Sequence, residues 1–324
     1  MSAPRITVVG SYATGLTMKV ARMPITGETL LGTGYRVDYG GKGSNQAVGC
    51  TRLGAKVSLV ARIGTDPFGE MALALYREEG IDAAHVKQAA DASTGVGFII
   101  VENASGQNCI TIDPGANELL TADDVCGSAA AFDSPAVVLT QLEIPVTAAE
   151  AALKCGREHG AVTILNPAPV RPLPPSILQL VDILTPNQSE ARILAGLDPH
   201  ADLKPEAVAR ELIRGGVQQV VITLGENGAL IVTGNSSRLV PAVRMAAVDT
   251  TGAGDAFNAG LAMALACGAS LEAAVQFAVV TGGLAVTREG VIPSLPRRNE
   301  VLETYRQRAV APPDWFVSDP ARPA

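Results

Sequence analysis

The sequence predicts an α/β protein with a mostly parallel central sheet and helices on both faces. Three observations carry that expectation. Short β-branched runs such as Ile6-Thr7-Val8-Val9 alternate with helix-length amphipathic segments. The runs are too apolar for a sheet with one face in water. Polar and glycine-bearing loops follow several strands at their carboxyl ends, where open α/β sheets bind ligands.

Taken in order, Arg5 to Gly10 reads as the first strand, closed by a glycine. Gly15–Ala21 and Thr29–Val37 alternate around Pro24 and Gly27, which predicts a hairpin or small accessory sheet. Gly40 to Gln46 opens a helix reaching about Leu53, followed by a strand over Ala55–Ala61. Asp66 and Pro67 begin a helix that runs to Glu79. Ser93–Val101 and Asn108–Ile112 are strands joined by the turn Asn103-Ala104-Ser105-Gly106. From Thr121 onward strands at 136–140, 162–165, 181–185, 219–223 and 229–232 alternate with helices at 146–159, 188–194, 205–214, 254–266 and 271–286. The early strand pairs, about 12–40 and 93–113, fall outside this layered pattern and predict a separate β-lid. One domain over 1–310 follows, with the proline-rich stretch 311–324 as a loose extension.

Nearly half of the 324 residues are apolar and few are aromatic, which fits a well-buried core. A formal charge of −7 weighs against nucleic acid or an anionic membrane as the main partner. An anionic ligand must then be held by local amides and a metal ion. Cys50, Cys109, Cys126, Cys155 and Cys267 are odd in number and lack C-x-x-C spacing, as in a cytoplasmic protein with reduced thiols. His85, His159 and His200 are scattered without ligand spacing. The N-terminus leads straight into a strand and lacks a signal-peptide layout. The most apolar region, Ala256 to Thr287, is interrupted by Asn258, Glu272 and Gln276 and fits two buried helices better than a membrane span.

The stretch Asp249-Thr250-Thr251-Gly252-Ala253-Gly254-Asp255 holds the most chemistry. Gly252 and Gly254 leave backbone amides bare toward an anion, and the helix that follows adds its positive end there. With the Asp255 carboxylate alongside, this suits phosphoryl transfer, which needs a base for the attacking hydroxyl and stabilisation of the moving group. Asp255 as a plain helix cap behind a glycine turn is the competing explanation.

Gly41-Lys42-Gly43-Ser44 fails the P-loop pattern, because glycine follows the lysine. Lys42 and Asn45 can still donate to oxygen atoms, or the segment is simply a tight turn. Gly10 to Gly15 does not match the dinucleotide fingerprint. Glu143 follows a strand and could accept from a sugar hydroxyl or cap the next helix. Asn187 and the Thr223–Gly228 loop also follow strands, with helix cap and strand connection as their alternatives.

The motifs Gly40-Gly41-Lys42-Gly43-Ser44-Asn45-Gln46-Ala47 and Asp249 to Phe257 resemble the early and late signatures of the ribokinase branch of the PfkB carbohydrate kinases. Between them Ser93-Thr94-Gly95-Val96, Pro114-Gly115-Ala116-Asn117, Asn166-Pro167-Ala168-Pro169, Thr185-Pro186-Asn187 and Ile222-Thr223-Leu224-Gly225 match in order, and the likeness extends to about Arg308. The resemblance implies a ribokinase-like fold and an ATP-dependent kinase acting on the primary hydroxyl of a pentose-like sugar. It makes Asp255 the general base and Gly252, Ala253 and Gly254 the anion hole. Gly41, Lys42, Gly43, Asn45 and Glu143 would line the sugar site, and Asn187, Thr223, Gly225, Gly228 and Gly254 would meet ATP.

By the same resemblance, Asn187 and Glu190 would form the motif that the family uses around Mg²⁺ and phosphate. Asp249, Thr251, Ala285, Arg288, Gly290 and Ser294 match positions around a monovalent cation such as K⁺. The lid would also serve as a homodimer contact. One departure stands out: ribokinases usually carry a sugar-binding asparagine and aspartate where this chain has Ala13 and Gly15. A site stripped of these partners should not favour the hydroxyls they hold, which puts ribose in question. A nucleoside kinase of the same fold and a non-catalytic sugar- or nucleotide-binding regulatory protein are the alternatives.

Overall fold

In the computed structural model, which describes residues 3–317, the chain forms two sheets of different character. The nine-stranded sheet has seven parallel strands: β1 (Arg5–Val9), β4 (Lys56–Gly64), β5 (Asp82–Ala89), β8 (Val137–Thr140), β9 (Val162–Leu165), β10 (Ile183–Leu184) and β11 (Gln219–Thr223). An antiparallel pair, β12 (Ala229–Thr233) and β13 (Ser236–Val240), completes one edge. The order is β13-β12-β11-β10-β9-β8-β1-β4-β5.

The central strands are largely apolar because each contributes to two cores. Ile6 and Val8 point to one face and Val9 to the other. The first face is covered by α1 (Lys42–Leu53), α2 (Pro67–Glu79), α8 (Ala253–Ala266) and α9 (Leu271–Ala285). The second is covered by α3 (Ala122–Cys126), α4 (Val146–Glu158), α5 (Pro175–Leu178), α6 (Gln188–Leu194) and α7 (Pro205–Arg214). Asp66 caps α2 through the Gly69 amide with Pro67 at its first position, as its sequence predicts. The stretch expected to hold two buried helices is α8 and α9, and no helix among the described residues is long and apolar enough to cross a membrane.

A second, four-stranded sheet is formed by β2 (Ala13–Val20), β3 (Thr33–Gly40), β6 (Gly95–Glu102) and β7 (Asn108–Asp113), in the order β3-β2-β6-β7. It exposes Tyr35, Phe98, Ile110 and Ile112.

Three short elements follow: α10 (Val291–Ser294), α11 (Arg298–Gln307) and α12 (Asp314–Val317). The expectation of a loose extension from residue 311 needs correction as far as 317. Phe316 is fully buried, with its ring centroid 4.6 Å from that of Phe277, and Trp315 packs edge-on to Phe277 at 5.0 Å. The Arg298 guanidinium lies over the Phe316 ring. Aromatic burial thus overrides the breaker signal of the prolines. Residues 318–324 lie outside the described part.

The edge strands β5 and β13 are rich in polar residues and lack the apolar signature of the central strands. Helix α3 is held by a capping box in which Thr121 and Asp124 satisfy each other's backbone amides. The same Asp124 carboxylate meets Arg62 at 3.0 Å and Lys87 at 2.8 Å, tying α3 to β4 and β5. Burial pushes the Asp124 carboxyl up, but Lys87 and the Thr121 groups outweigh it and bring its pKa from 3.8 to about 2. A depressed carboxyl stabilises the fold above its ordinary pKa, and the contribution fades as pH falls through the folded value. Asp124→Asn should therefore cost on the order of 2 kcal/mol near neutral pH. Denaturant titrations of both proteins should converge as the pH is lowered from 4 toward 2; a pH-independent gap would contradict the assignment.

Candidate active site

The candidate site gathers at the carboxyl ends of the parallel strands, with the expected Glu143 and Thr223 among other polar residues. Gly10 and Ser11 follow β1, Gln141 and Glu143 follow β8, Asn166 follows β9, Thr185 follows β10 and Thr223 ends β11. Helices α1 and α8 meet over this edge, starting at Lys42 and Ala253.

Their meeting depends on glycine. Gly41 has φ 88°, and a Cβ there would lie 2.6 Å from Tyr12 Cα. A Cβ on Gly43 would lie 2.3 Å from the Ser11 amide nitrogen. The glycines let the start of α1 rest directly on the loop after β1. Gly43 is consumed by that packing, with its amide donating to Ser11 Oγ at 3.3 Å.

Asp255 lies in the first turn of α8 and is 6% exposed. Asn45 Nδ2 donates to its Oδ2 at 2.8 Å and Gln46 Nε2 to its Oδ1 at 2.9 Å. Asn45 Oδ1 is buried beside it with no partner. Asp255 is not a helix cap. The N-cap is Gly252 at φ 82°, where a Cβ would strike Val291 Cγ1 at 2.7 Å, and no side chain caps the helix. Ala253 leans its amide toward Thr250 O at 3.3 Å, while the space next to Gly254 is open, with no atom within 4 Å of where a Cβ would stand. An uncapped helix terminus with open space before it is a place for an anion.

A chain of buried amides supports the carboxylate. Gln46 accepts from Gln141 Nε2 at 2.6 Å and donates to Asn166 Oδ1 at 3.1 Å. Asn166 Nδ2 donates to Thr185 O, Thr185 Oγ1 to Asn258 Oδ1, and Asn258 Nδ2 to Gly254 O. The path leads from Asp255 through two strand ends, with Gln141 at a third as a side branch, back to the helix that carries it. None of Gln46, Gln141, Asn166, Thr185 and Asn258 is among the site residues expected from sequence. Their shared signal is a polar residue within or just beyond an apolar run, at a strand end or on a buried helix face.

Lys42 faces three carboxylates. Asp255 raises its pKa most, burial opposes, and Glu143 and Glu190 add to the rise. Glu143 Oε2 accepts from Ser11 Oγ at 2.6 Å and from the Lys42 amide at 2.8 Å. It therefore caps α1 and not the helix after it, whose N-cap is Pro145 without a side-chain bond.

Asn187 caps α6 in a reciprocal box with Glu190, so the cap alternative holds as geometry. Burial raises the Glu190 carboxyl above its usual range, only partly offset by the Asn187 amide and Lys42. Asn187 also bridges to Thr223, and Gly225 (φ 57°) opens onto free space. A Cβ on Gly228 would lie 2.0 Å from Val240 O, so that glycine serves the turn into β12.

Asp249 accepts from the Thr251 amide at 2.9 Å and the Gly290 amide at 3.0 Å. Burial disfavours its charge, but these donors outweigh it and lower the pKa. The turn after α9 thus joins the loop before α8. Arg288 pairs with Glu300 at 2.8 Å, and Ser294 Oγ donates to Val291 O. Behind this turn the buried Arg52, paired with Glu79, donates to Ile292 O and Leu295 O. Among the described residues no group of three or more His, Cys, Asp or Glu side chains could hold a metal ion. A surface cavity of about 400 Å³ opens at the opposite end of the strands, lined by Gly160, Asp182 and Gln218.

A lone carboxylate at an open helix terminus, on the carboxyl edge of a parallel sheet, is the site of a phosphotransferase with an alcohol as acceptor. Comparison with known proteins narrows the class. The model of the pfkB family carbohydrate kinases matches residues 3–298. A ribokinase of Haemophilus influenzae is 37% identical over 298 residues, covering 92% of this chain and 97% of that one. A deoxyribokinase of Salmonella typhi is 35% identical over 301 residues, covering 92% and 98%. The structure of an Arabidopsis thaliana ribokinase complexed with ribose and ATP superposes with a TM-score of 0.85 at 31% identity, over 94% and 98% of the two chains. The chain belongs to the pfkB family of carbohydrate kinases and has the ribokinase-like fold.

Gln46→Leu removes one of the two donors that orient Asp255 and leaves Gln141 and Asn166 short of partners. Turnover should fall about 100-fold, as expected for a misplaced reacting group, and stability by about 1–3 kcal/mol. Steady-state rates and denaturant unfolding measure both; an unaltered kcat would exclude a positioning role.

Proposed function

We propose that the protein transfers the γ-phosphate of ATP to a primary hydroxyl of a pentose-like sugar. The observation that carries this reading is Asp255, held by two amide donors at an open helix terminus beside the unpartnered acceptor Asn45 Oδ1. A hydroxyl presented there gives its proton to Asp255 while its oxygen attacks the γ-phosphorus in line. The bond from phosphorus to the bridging oxygen breaks, and ADP leaves. The amides at Gly252, Ala253 and Gly254 face the transferring phosphoryl group. Lys42, Asn45 and Glu143, with the main chain at Gly41 and Gly43, surround the sugar. Asn187, Thr223, Gly225 and Gly228 flank the nucleotide.

The donors near Glu190 are hard oxygens, which suit Mg²⁺, and the Asn187 amide binds one oxygen of the Glu190 carboxylate. Mg²⁺ held there with ATP would offset phosphate charge. A monovalent cation such as K⁺ would be held by Asp249, Thr251, Ala285, Arg288, Gly290 and Ser294, chiefly through main-chain oxygens. The Ala285 and Arg288 carbonyls accept no main-chain hydrogen bond outside helices among the described residues, which suits that use. The five unpaired cysteines accord with a cytoplasmic setting.

We read the four-stranded sheet as a lid over the sugar and as the contact of a homodimer. Exposed Phe98 on one face, and Ile110 and Ile112 on the other, make the sheet more apolar than one facing water on both sides. Phe98→Lys should turn a dimer into a monomer in sedimentation analysis, and an already monomeric parent protein would remove the dimer from the proposal.

The central test is Asp255→Asn, assayed by ADP release with a panel of pentoses, ketoses and nucleosides. Turnover should drop about 100- to 10,000-fold with the circular dichroism unchanged. A near-normal rate in the variant would refute the base. A preference for nucleosides would move the acceptor class, and sugar-induced thermal stabilisation without ADP would mean a binding protein.

A further inference from the structure

Gly15 leaves no side chain at the position where the family's sugar-binding aspartate is expected, and the structure shows what stands across from it. β2 and β3 pair antiparallel with Ala13 opposite Gly40 and Gly15 opposite Asp38. Directly opposed residues project to the same face of a sheet. A Cβ built on Gly15 would lie 3.8 Å from Asp38 Cβ. On the other side, β6 sets Gly95 opposite Ala13 and Gly97 opposite Gly15. A Cβ on Gly97 would meet nothing within 4 Å, so the space over this part of the face is open.

Ala13, Gly15, Gly40, Gly95 and Gly97 thus make a floor with no side chain larger than a methyl, and Asp38 stands at its side. Its side chain is 37% exposed, and its carboxylate is met by Arg36 Nε at 3.3 Å, from the side that leads to Glu289. From Asp38 the chain runs through Gly40 and Gly41 straight into Lys42 and Asn45. The carboxylate therefore belongs to the same strand-to-helix passage as the groups proposed to surround the sugar.

We infer that Asp38 replaces the missing aspartate from the neighbouring strand and accepts hydrogen bonds from two adjacent hydroxyls of the acceptor. A carboxylate has two oxygens, and a vicinal diol offers two donors at matching spacing. The open floor over Gly15 and Gly97 leaves room for the carbons that carry them. The acceptor class is then a polyhydroxylated pentose or pentulose with a vicinal diol remote from the phosphorylated carbon. A 2-deoxy sugar and a nucleoside with its base in this corner are disfavoured. The inference rests on the sugar-site reading above and changes which residue reads the hydroxyls.

The test measures binding and turnover separately. Calorimetric titration of the full chain with D-ribose, D-arabinose, D-xylose, D-ribulose, D-xylulose and 2-deoxy-D-ribose should find at least one diol sugar bound about 10-fold or more tightly than the deoxy sugar. Asp38→Asn should weaken that sugar about 10- to 100-fold and erase the preference, with the KM for ATP unmoved. Arg36→Gln should leave the preference in place.

The double variant Gly15→Asp with Asp38→Ala returns the carboxylate to β2. Gly15 has no positive φ and its nearest neighbour is Ile99 Cδ1 at 3.5 Å, so a side chain fits, and diol binding should recover. No diol preference in the parent protein, an acceptor affinity indifferent to Asp38→Asn, or the same loss from Arg36→Gln would each overturn the inference. Diol binding that depends on Asp38 but yields no ADP would sink the kinase reading and leave Asp38 standing.

Discussion

The structure depends on one buried ionisable group being held still. Asp255 sits in the first turn of α8, out of water, and each of its oxygens meets one amide hydrogen from consecutive residues of α1. Burial of an ionised carboxylate is costly unless such donors are present. The two helices must therefore be placed with care. The glycines at 41, 43 and 252 permit that placement, because a methyl group at any of them would collide with main chain or with Val291. The rest of the sheet edge is arranged around this pair.

The buried amide path from Gln46 through Asn166, Thr185 and Asn258 gives the edge a second property. It touches the loop after β9, the loop after β10 and the carbonyl of Gly254. The loop after β10 leads into Asn187, so the Asn187 end of the sheet edge and the Asp255 end share one hydrogen-bonded frame. Connected networks of this kind are rigid, since a shift of one member leaves another unpaired in a low dielectric. That rigidity fits a reaction in which position and charge, and not covalent chemistry, do most of the work.

Much of the fold was legible because central strands buried on both sides leave unbroken β-branched runs, and β1, β8, β9 and β11 all show them. β5 and β13 were not legible, since an edge strand with one wet side has the composition of a loop. The four-residue helix at 314–317 was hidden for a different reason: Trp315 and Phe316 find their partner in Phe277, nearly forty positions upstream, and no local pattern reports that. Within the site, Asp255 and the glycines stood out through spacing. Gln46 and Asn166 did not, because a buried amide that serves another side chain looks in sequence like any polar residue. Asp38 was invisible until strand register set it against Gly15.

Arg52 has a consequence of its own. Its guanidinium, sealed in against Glu79, grips the carbonyls of Ile292 and Leu295 on the far flank of the turn that meets Asp249. A tethered positive charge cannot be washed out, diluted or exchanged. The outer flank of that turn accordingly keeps its shape whatever the ionic makeup of the surroundings. The inner flank is held differently, by the Thr251 and Gly290 amides converging on a single carboxylate, so the two sides of one turn answer to different charges.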